Sequence, residues 1–499
     1  MRTRKIYVMG VDQMILPLTK HFAQEGSIPT IARLLEHSSA YEALASFPCY
    51  TANNWPVIAT GAQTGTHGAV SWFIRMPDGE DVPSLASLGI NAEFIWEAAE
   101  RQGLRSAVLH YPGSMPSHLK KGYVIDGVTG PAFGGCPFEL ATAEAYATHP
   151  DVQSPALNKV VLEVAEGWKG LPGEGPQPLS TPIPITAKED KHSQCWQAVV
   201  LGGASGYDRV VVCREKDLAT SIAETKLNQW SQWSIMPFED RQGTVRFKLT
   251  ALSPDGKFMK LYRSQIMPLD GFSEPDQIGR ELIDKIGPYQ EHVSQMFDVL
   301  GIVDYTTCVE EADYQGQWFA KAALYLTKEK GCDLFFCHWH FLDAELIGLW
   351  GDQVGDIVVV LESGSQMGKK DSPTPLQDNT ALLVSGHGRM LPTNETVFGT
   401  ERAIFTIAGP GVKKGYERPA EKLGHVRLID VAPTLCHLLG IQPPAQSQGA
   451  IIYDLLEGHE MVRERPRTTP QYEPTRKYKK WWTQFREQKE LLAEESIPC

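Results

Sequence analysis

The chain has 499 residues, 42% of them hydrophobic and 21% charged, which is enough for a large α/β core with an inserted domain. Its formal charge of -13 argues against a surface that coats a nucleic-acid polymer. No stretch approaches the ~20 apolar residues of a membrane span, so a soluble, cytoplasmic protein without a membrane partner is expected.

Met1-Arg2-Thr3-Arg4-Lys5 has the charge of a signal n-region, but the apolar run behind it is only about six residues long before Asp12 interrupts it. Residues 5–11 read as a buried strand that delivers Asp12 at its carboxyl end, where open α/β sheets place ligand groups. Ser46-Phe47-Pro48 then approaches a run from Thr51 to Gly61 that reads as a helix, with Asn53 and Asn54 in its first turn. Thr51 is expected at the N-cap. A hydroxyl and several unpaired backbone N–H groups would then face one way, a geometry suited to a phosphate-like anion. A plain capped helix leaves the same signature. Cys49 is a rival nucleophile, but its neighbours Pro48 and Tyr50 offer no base. The nine cysteines include no CxxC pair, so reduced and mostly buried thiols are expected rather than disulfides.

Residues 92–102 read as an amphipathic helix, 105–110 as a strand, and 122–127 as a strand and turn in which Asp126 is a turn acid. From 170 to 184 the composition shifts to Gly, Pro and Ser, the mark of a linker. Strand-like runs follow at 197–201, 209–213, 244–252 and 257–266, with a hairpin signal at Pro254-Asp255-Gly256. They make a β-rich insertion of roughly 100 residues. The Gly202-Gly203-Ala204-Ser205-Gly206 loop lacks the strand-to-helix context of a phosphate cradle and reads as a turn. The expected division is therefore 1–169 and 286–460 for the α/β core, 170–285 for an inserted β-rich cap, and 461–499 for a basic, aromatic extension.

The α/β pattern resumes with a helix over 314–330 and a strand over 333–340 that runs toward Asp343. His338 and His340 project from one face of that strand and could meet Asp343 and Glu345, or could be core or turn histidines satisfied by backbone. A further strand over 379–385 ends in Gly386-His387-Gly388. In the extension, Trp481 and Phe485 are four apart and form one apolar face, for a neighbouring subunit of a homo-oligomer, an anionic substrate entrance, or the chain's own domain.

Gly10-Val11-Asp12, Thr51, Ala59-Thr60-Gly61, Thr66-His67-Gly68, Ser385-Gly386-His387-Gly388 and Asp430-Val431-Ala432-Pro433-Thr434 stand in the order of a known pattern. They resemble the alkaline phosphatase superfamily, most closely its type I phosphodiesterase and nucleotide pyrophosphatase branch. The resemblance implies an α/β fold with a mostly parallel central sheet flanked by helices, and two divalent cations, usually zinc, with manganese or iron as alternatives. It implies that Asp12, Thr51 and His387 hold one cation beside the nucleophile and that Asp343 serves the other. The sequence departs from the pattern at several places. Gly386 stands where the acid of an Asp-His pair belongs, Ile347 stands four residues after Asp343, residues 443–449 contain no histidine, and Trp72 replaces a phosphate-contacting Asn. His340, Glu345, His338 and His425 are the substitute ligands on offer, and one bound metal or none is the alternative.

The activity so implied is metal-dependent hydrolysis of phosphate esters or diesters, on a small anionic substrate such as a nucleotide or phosphonate. Thr51 would attack phosphorus, and backbone N–H groups around Ala52 and Asn53, with the Asn54 amide, would hold the oxyanion. The alternative is a repurposed relative without the full metal site. It would be a lyase or transferase with His387 or His340 as base, or a binding protein without turnover.

Overall fold

In a computed structural model the protein is described over residues 5–11, 14, 16–49, 51–76, 79, 81–127, 137–188, 194–238, 241–290, 297, 301–339 and 402–459. Two compact units draw on these residues, one from 1–134, 273–275 and 319–479, the other from 135–272, 276–318 and 480–499. Among the described residues no helix is long and apolar enough to cross a membrane.

The first unit is α/β. Its main sheet runs in the order Ile6–Val11, Leu334–Trp339, Ser106–Leu109, Tyr123–Ile125, Ser273–Glu274. The first four strands are parallel and the last is antiparallel. Continuous apolar runs such as Leu334-Phe335-Phe336-Cys337, buried throughout, are what a sheet covered on both faces requires. The described strands Ile6–Val11, Ser106–Leu109, Tyr123–Ile125 and Leu334–Trp339 fall within the expected 5–11, 105–110, 122–127 and 333–340, whereas residues 340 and 379–385 lie outside the described residues. A second sheet pairs Arg402–Ala408 with Ser38–Leu44, which also carries Tyr416–Glu417 and Val426–Arg427.

The register of the main sheet is what matters for function. Met9 lies opposite Cys337, Cys337 opposite Leu109, and Leu109 opposite Ile125. One residue further on, Gly10, His338, His110 and Asp126 therefore form a single row across the carboxyl ends of four parallel strands.

The second unit is β-rich. Its five-stranded antiparallel sheet has the order Ser221–Lys226, Gly206–Cys213, Gln194–Gly203, Leu179–Ile185, Glu163–Val164. A four-stranded sheet of Phe247–Leu252, Met259–Arg263, Glu144–Ala147 and Leu157–Lys159 shares a core with it, built from residues such as Trp196, Val210, Phe247 and Leu261. The turn over 202–206 is a hairpin, and Pro254-Asp255-Gly256 joins antiparallel partners, with Gly256 at φ +73°.

The linker expected over 170–184 ends earlier, because Leu179–Ile185 is a strand despite two prolines. Thr181, Ile183 and Ile185 face the neighbouring strand at Ala198, Trp196 and Gln194. Pro182 and Pro184 have the opposite parity, on the side where Glu163–Val164 pairs only as far as Leu179 and Ser180. No ladder bond is lost there, which is the one place a strand tolerates proline. The boundary expected at 170 thus falls inside this unit. The helix expected over 314–330 begins earlier, at Tyr305, and runs to Leu324 before a π turn over 325–329. Asp304 caps it, Oδ1 accepting from Thr307 N–H at 2.9 Å.

Among the described cysteines Cys213, Cys308, Cys332, Cys337 and Cys436 are buried, Cys49 is half-buried and Cys195 is exposed. Burial raises the Cys213 thiol to about 11 and that of Cys332 to about 12. An alkylating reagent at pH 7.5 is therefore expected to label the exposed Cys195 in the native protein and spare Cys213 and Cys332 until denaturant is added. Peptide mapping before and after unfolding checks it.

Candidate active site

The run from Thr51 forms a helix, Thr51–Thr60, every residue of which is buried. Thr51 is its first helical residue, one position inside the N-cap expected from the sequence. The N–H groups of that first turn have no intrahelical acceptor. The approach loop is bound to the helix by two amides. Asn53 Nδ2 donates to the carbonyls of Ser46 (3.0 Å) and Pro48 (2.7 Å), and Asn54 Oδ1 accepts from Ser46 N–H (2.8 Å). Asn54 Nδ2 turns to the same two carbonyls at 3.3 and 3.5 Å, so the side chain expected to hold an oxyanion faces the loop in this structure. Thr64 Oγ1 lies 2.7 Å from Asn53 Oδ1 and continues the brace into the following turn.

Trp55 carries the helix onto the sheet. It sits one turn after Thr51, on the same helix face. At Gly10 a Cβ would fall 2.4 Å from the Trp55 ring, so glycine is what lets the indole occupy that strand's place in the row. The ring then meets His338 edge-on at 4.6 Å and Tyr111 at 5.5 Å, while Tyr111 OH donates to the Trp55 carbonyl at 3.0 Å.

Beyond Trp55 the row continues as His338, His110 and Asp126, all buried. The His110 and His338 rings stack at 5.9 Å with 16° between planes. His110 Nδ1 is 3.1 Å from Asp126 Oδ2. Both His110 (φ 53°) and Asp126 (φ 43°) lie in the left-handed region, which costs a residue with a side chain roughly 1–2 kcal/mol. Two such residues paired at the ligand-binding edge of a parallel sheet are where stored strain points to function.

Asp126 lies in a bend directly after its strand, as the turn acid expected from the sequence would. It is a fully buried partner of a histidine. The rule that selected Asp12, a polar group directly after a buried strand, selects His110 and Asp126 as well when applied to the strands at 106–109 and 123–125.

The other expected site residues are placed as follows. Asp12, His340, Asp343, Glu345 and His387 lie outside the described residues, as does the 461–499 extension. His425 precedes a strand of the second sheet, with Nδ1 3.9 Å from Glu42 Oε2. Among the described residues no three His, Cys, Asp or Glu side chains gather as a metal cage.

Asp430 is buried and accepts from Ala450 N–H at 2.9 Å, anchoring the segment in which a last histidine was looked for. That segment grips the turn after the Thr51 helix instead. Gln448 N–H donates to the Gly61 carbonyl (2.6 Å), and Gln448 Oε1 accepts from Gln63 N–H (2.9 Å) and Thr66 Oγ1 (2.8 Å). Gly61 has φ +64°, and a Cβ there would lie 2.4 Å from Ser447 Oγ.

His67 ends that turn, fully buried. Its Nδ1 accepts from Ala69 N–H at 3.1 Å, so the proton sits on Nε2, which has no hydrogen-bond partner among the described residues. Burial pushes its pKa from 6.5 down to about 4. Between these values the unfolded chain binds the proton and the folded chain does not, so stability is lost as pH falls through that window. His67→Gln is expected to flatten the urea midpoint between pH 6.5 and 4. An unchanged slope would assign the acid lability elsewhere.

Residues 7–166 match the family model of type I phosphodiesterase / nucleotide pyrophosphatase. A Delta 4,5-hexuronate-2-O-sulfatase of Bacteroides thetaiotaomicron is 30% identical over 101 residues, covering 19% of this chain and 21% of the sulfatase. A phosphonoacetate hydrolase from Sinorhizobium meliloti 1021, crystallised with phosphonoformate, is 26% identical over 22% of this chain and 26% of that one, with a TM-score of 0.19. Murine ectonucleotide pyrophosphatase / phosphodiesterase 5 is 11% identical, covering 88% of this chain and 96% of that one, with a TM-score of 0.33. The chain thus spans about a fifth of the curated relative, 21%, and about a quarter of the hydrolase, 26%.

Proposed function

We propose, from the type I phosphodiesterase pattern over residues 7–166, that the protein hydrolyses esters of phosphate or a like tetrahedral oxyanion, with Thr51 as nucleophile. The observation that carries the reading is the seating of the Thr51 helix. Trp55 fills the glycine gap at the carboxyl edge of the sheet, and Thr51 starts the same helix face one turn away. The first-turn N–H groups then supply donors for negative charge developing on the non-bridging oxygens. In the first half of the reaction Thr51 Oγ1 forms a bond to phosphorus and the ester's leaving oxygen departs. In the second half water releases the product and restores the threonine. Asn53 and Asn54 serve by fixing the loop that enters the helix, so the hydroxyl is presented without loss of order.

The substrate of this reading is a small anion. The family pattern brings with it a divalent cation, zinc by preference, and elemental analysis of protein purified without chelator measures that part separately. The reaction is tested by mixing the protein with nitrophenyl phosphate mono- and diesters and nitrophenyl sulfate, quenching within the first turnover and mapping the peptides. A modified Thr51 peptide with release of nitrophenolate is expected. No release from any of these esters would overturn the reading.

A further inference from the structure

We propose that Phe47 receives the organic group of the ester, and that this group is a flat aromatic ring, an inference that rests on the hydrolase reading above. The resemblance that singles out Thr51 assigns nothing to Phe47. Its surroundings do. Among the described residues it is the most exposed large apolar side chain, at 84%, ahead of Val70 at 50% and Phe73 at 48% in the same unit. Leaving a phenylalanine in water forfeits what its burial would contribute, and a loop free to move would turn the ring inward. This loop is not free. Ser46 N–H donates to Asn54 Oδ1 at 2.8 Å, the Ser46 and Pro48 carbonyls accept from Asn53 Nδ2 at 3.0 and 2.7 Å, and the Phe47 carbonyl accepts from Thr64 Oγ1 at 2.8 Å. With main-chain groups of three successive residues bound, the ring is held in solvent.

The same bonds fix Phe47 beside the helix of the nucleophile. Thr64 Oγ1 also lies 2.7 Å from Asn53 Oδ1, so the Phe47 backbone and the first turn of the helix meet on one hydroxyl. Phe47 precedes Thr51 by four positions, at most ~14 Å of extended chain. An ester of a tetrahedral oxyanion has two ends with opposite needs. First-turn N–H groups suit the charged end, and the organic end needs an apolar surface within reach of it. A single ring offers a face on which a second ring stacks or leans edge-on, whereas it gives a small alkyl group little area to cover. At its degree of exposure the Phe47 ring is open to such a partner from solvent.

The test compares phenyl and methyl esters of phosphate, or of sulfate if that is the oxyanion cleaved, by release of the inorganic anion from wild type, Phe47→Ala and Phe47→Tyr. In Phe47→Ala the ratio of kcat/KM for the phenyl ester to that for the methyl ester is expected to fall by about tenfold, through KM for the phenyl ester. In Phe47→Tyr, which keeps the ring, it should stay near the wild-type value. The intrinsic reactivities of the two esters are the same for every variant and cancel from the comparison. The thermal midpoint of Phe47→Ala should hold, because so exposed a side chain contributes little packing. An unchanged ratio in Phe47→Ala would overturn the proposal, as would an equal fall in Phe47→Tyr. If the ring instead seats a second copy of the chain, sedimentation will show a dimer that Phe47→Ala dissociates while the ratio holds, which also overturns it. A wild-type protein that cleaves none of these esters removes the hydrolase reading and this role with it, whereas wild-type cleavage with the ratio preserved in Phe47→Ala removes this role alone.

Discussion

Thr51→Ala is expected to lower ester cleavage by on the order of 10⁴-fold or more, while leaving the folded protein in place. Under the proposed reading the loss follows from chemistry, since alanine offers no oxygen to form the covalent ester and the amides of Asn53 and Asn54 are no substitute. Asn53 faces the carbonyls of Ser46 and Pro48. The fold should survive because the loop is held by those amides and by Thr64, not by the threonine hydroxyl. A cap-region hydroxyl contributes about 1 kcal/mol, so the thermal midpoint should fall only slightly. Thr51→Ser, which restores an oxygen, should recover part of the rate. Cleavage by Thr51→Ala at the wild-type rate would place the nucleophile elsewhere.

Trp55→Ala is expected to be the most damaging single change to the first unit, at about 3–5 kcal/mol. The indole is 1% exposed and touches Gly10, His338 and Tyr111 together. Removing it empties a space bounded by Gly10, His338 and Tyr111, and glycine on the strand side has no atoms with which to close it. Urea unfolding should show the loss as a lower midpoint, and turnover at saturating substrate should fall too because Thr51 loses its seat. Gly10→Ala attacks the same contact from the other side, with a methyl group driven into the ring. Trp55→Ala with wild-type stability would mean that the helix is held by other contacts.

The parallel strands were legible because a strand covered on both faces has to be apolar without alternation, as Ile6–Val11 and Leu334–Trp339 are. The Thr51 helix was legible from its hydroxyl and amide-rich start. Leu179–Ile185 was not, since prolines read as linker unless one knows which edge of the strand is open. The partner of Asp126 was hidden for a related reason. An acid followed by glycine looks like a turn, and nothing local reveals that register sets it beside His110 from a neighbouring strand. Gly10 gave no sign of its partner either, because a glycine records only that something comes close.

The strand order has a further consequence for how this protein comes into being. Ile6–Val11 forms one border of the main sheet, and its only neighbour there among the described strands is Leu334–Trp339, made more than three hundred residues later. Until that second segment leaves the ribosome, Ile6–Val11 lacks this strand partner and Trp55 has no His338 to lean on. The seat of the Thr51 helix is therefore completed only after the strand Leu334–Trp339 has been synthesised.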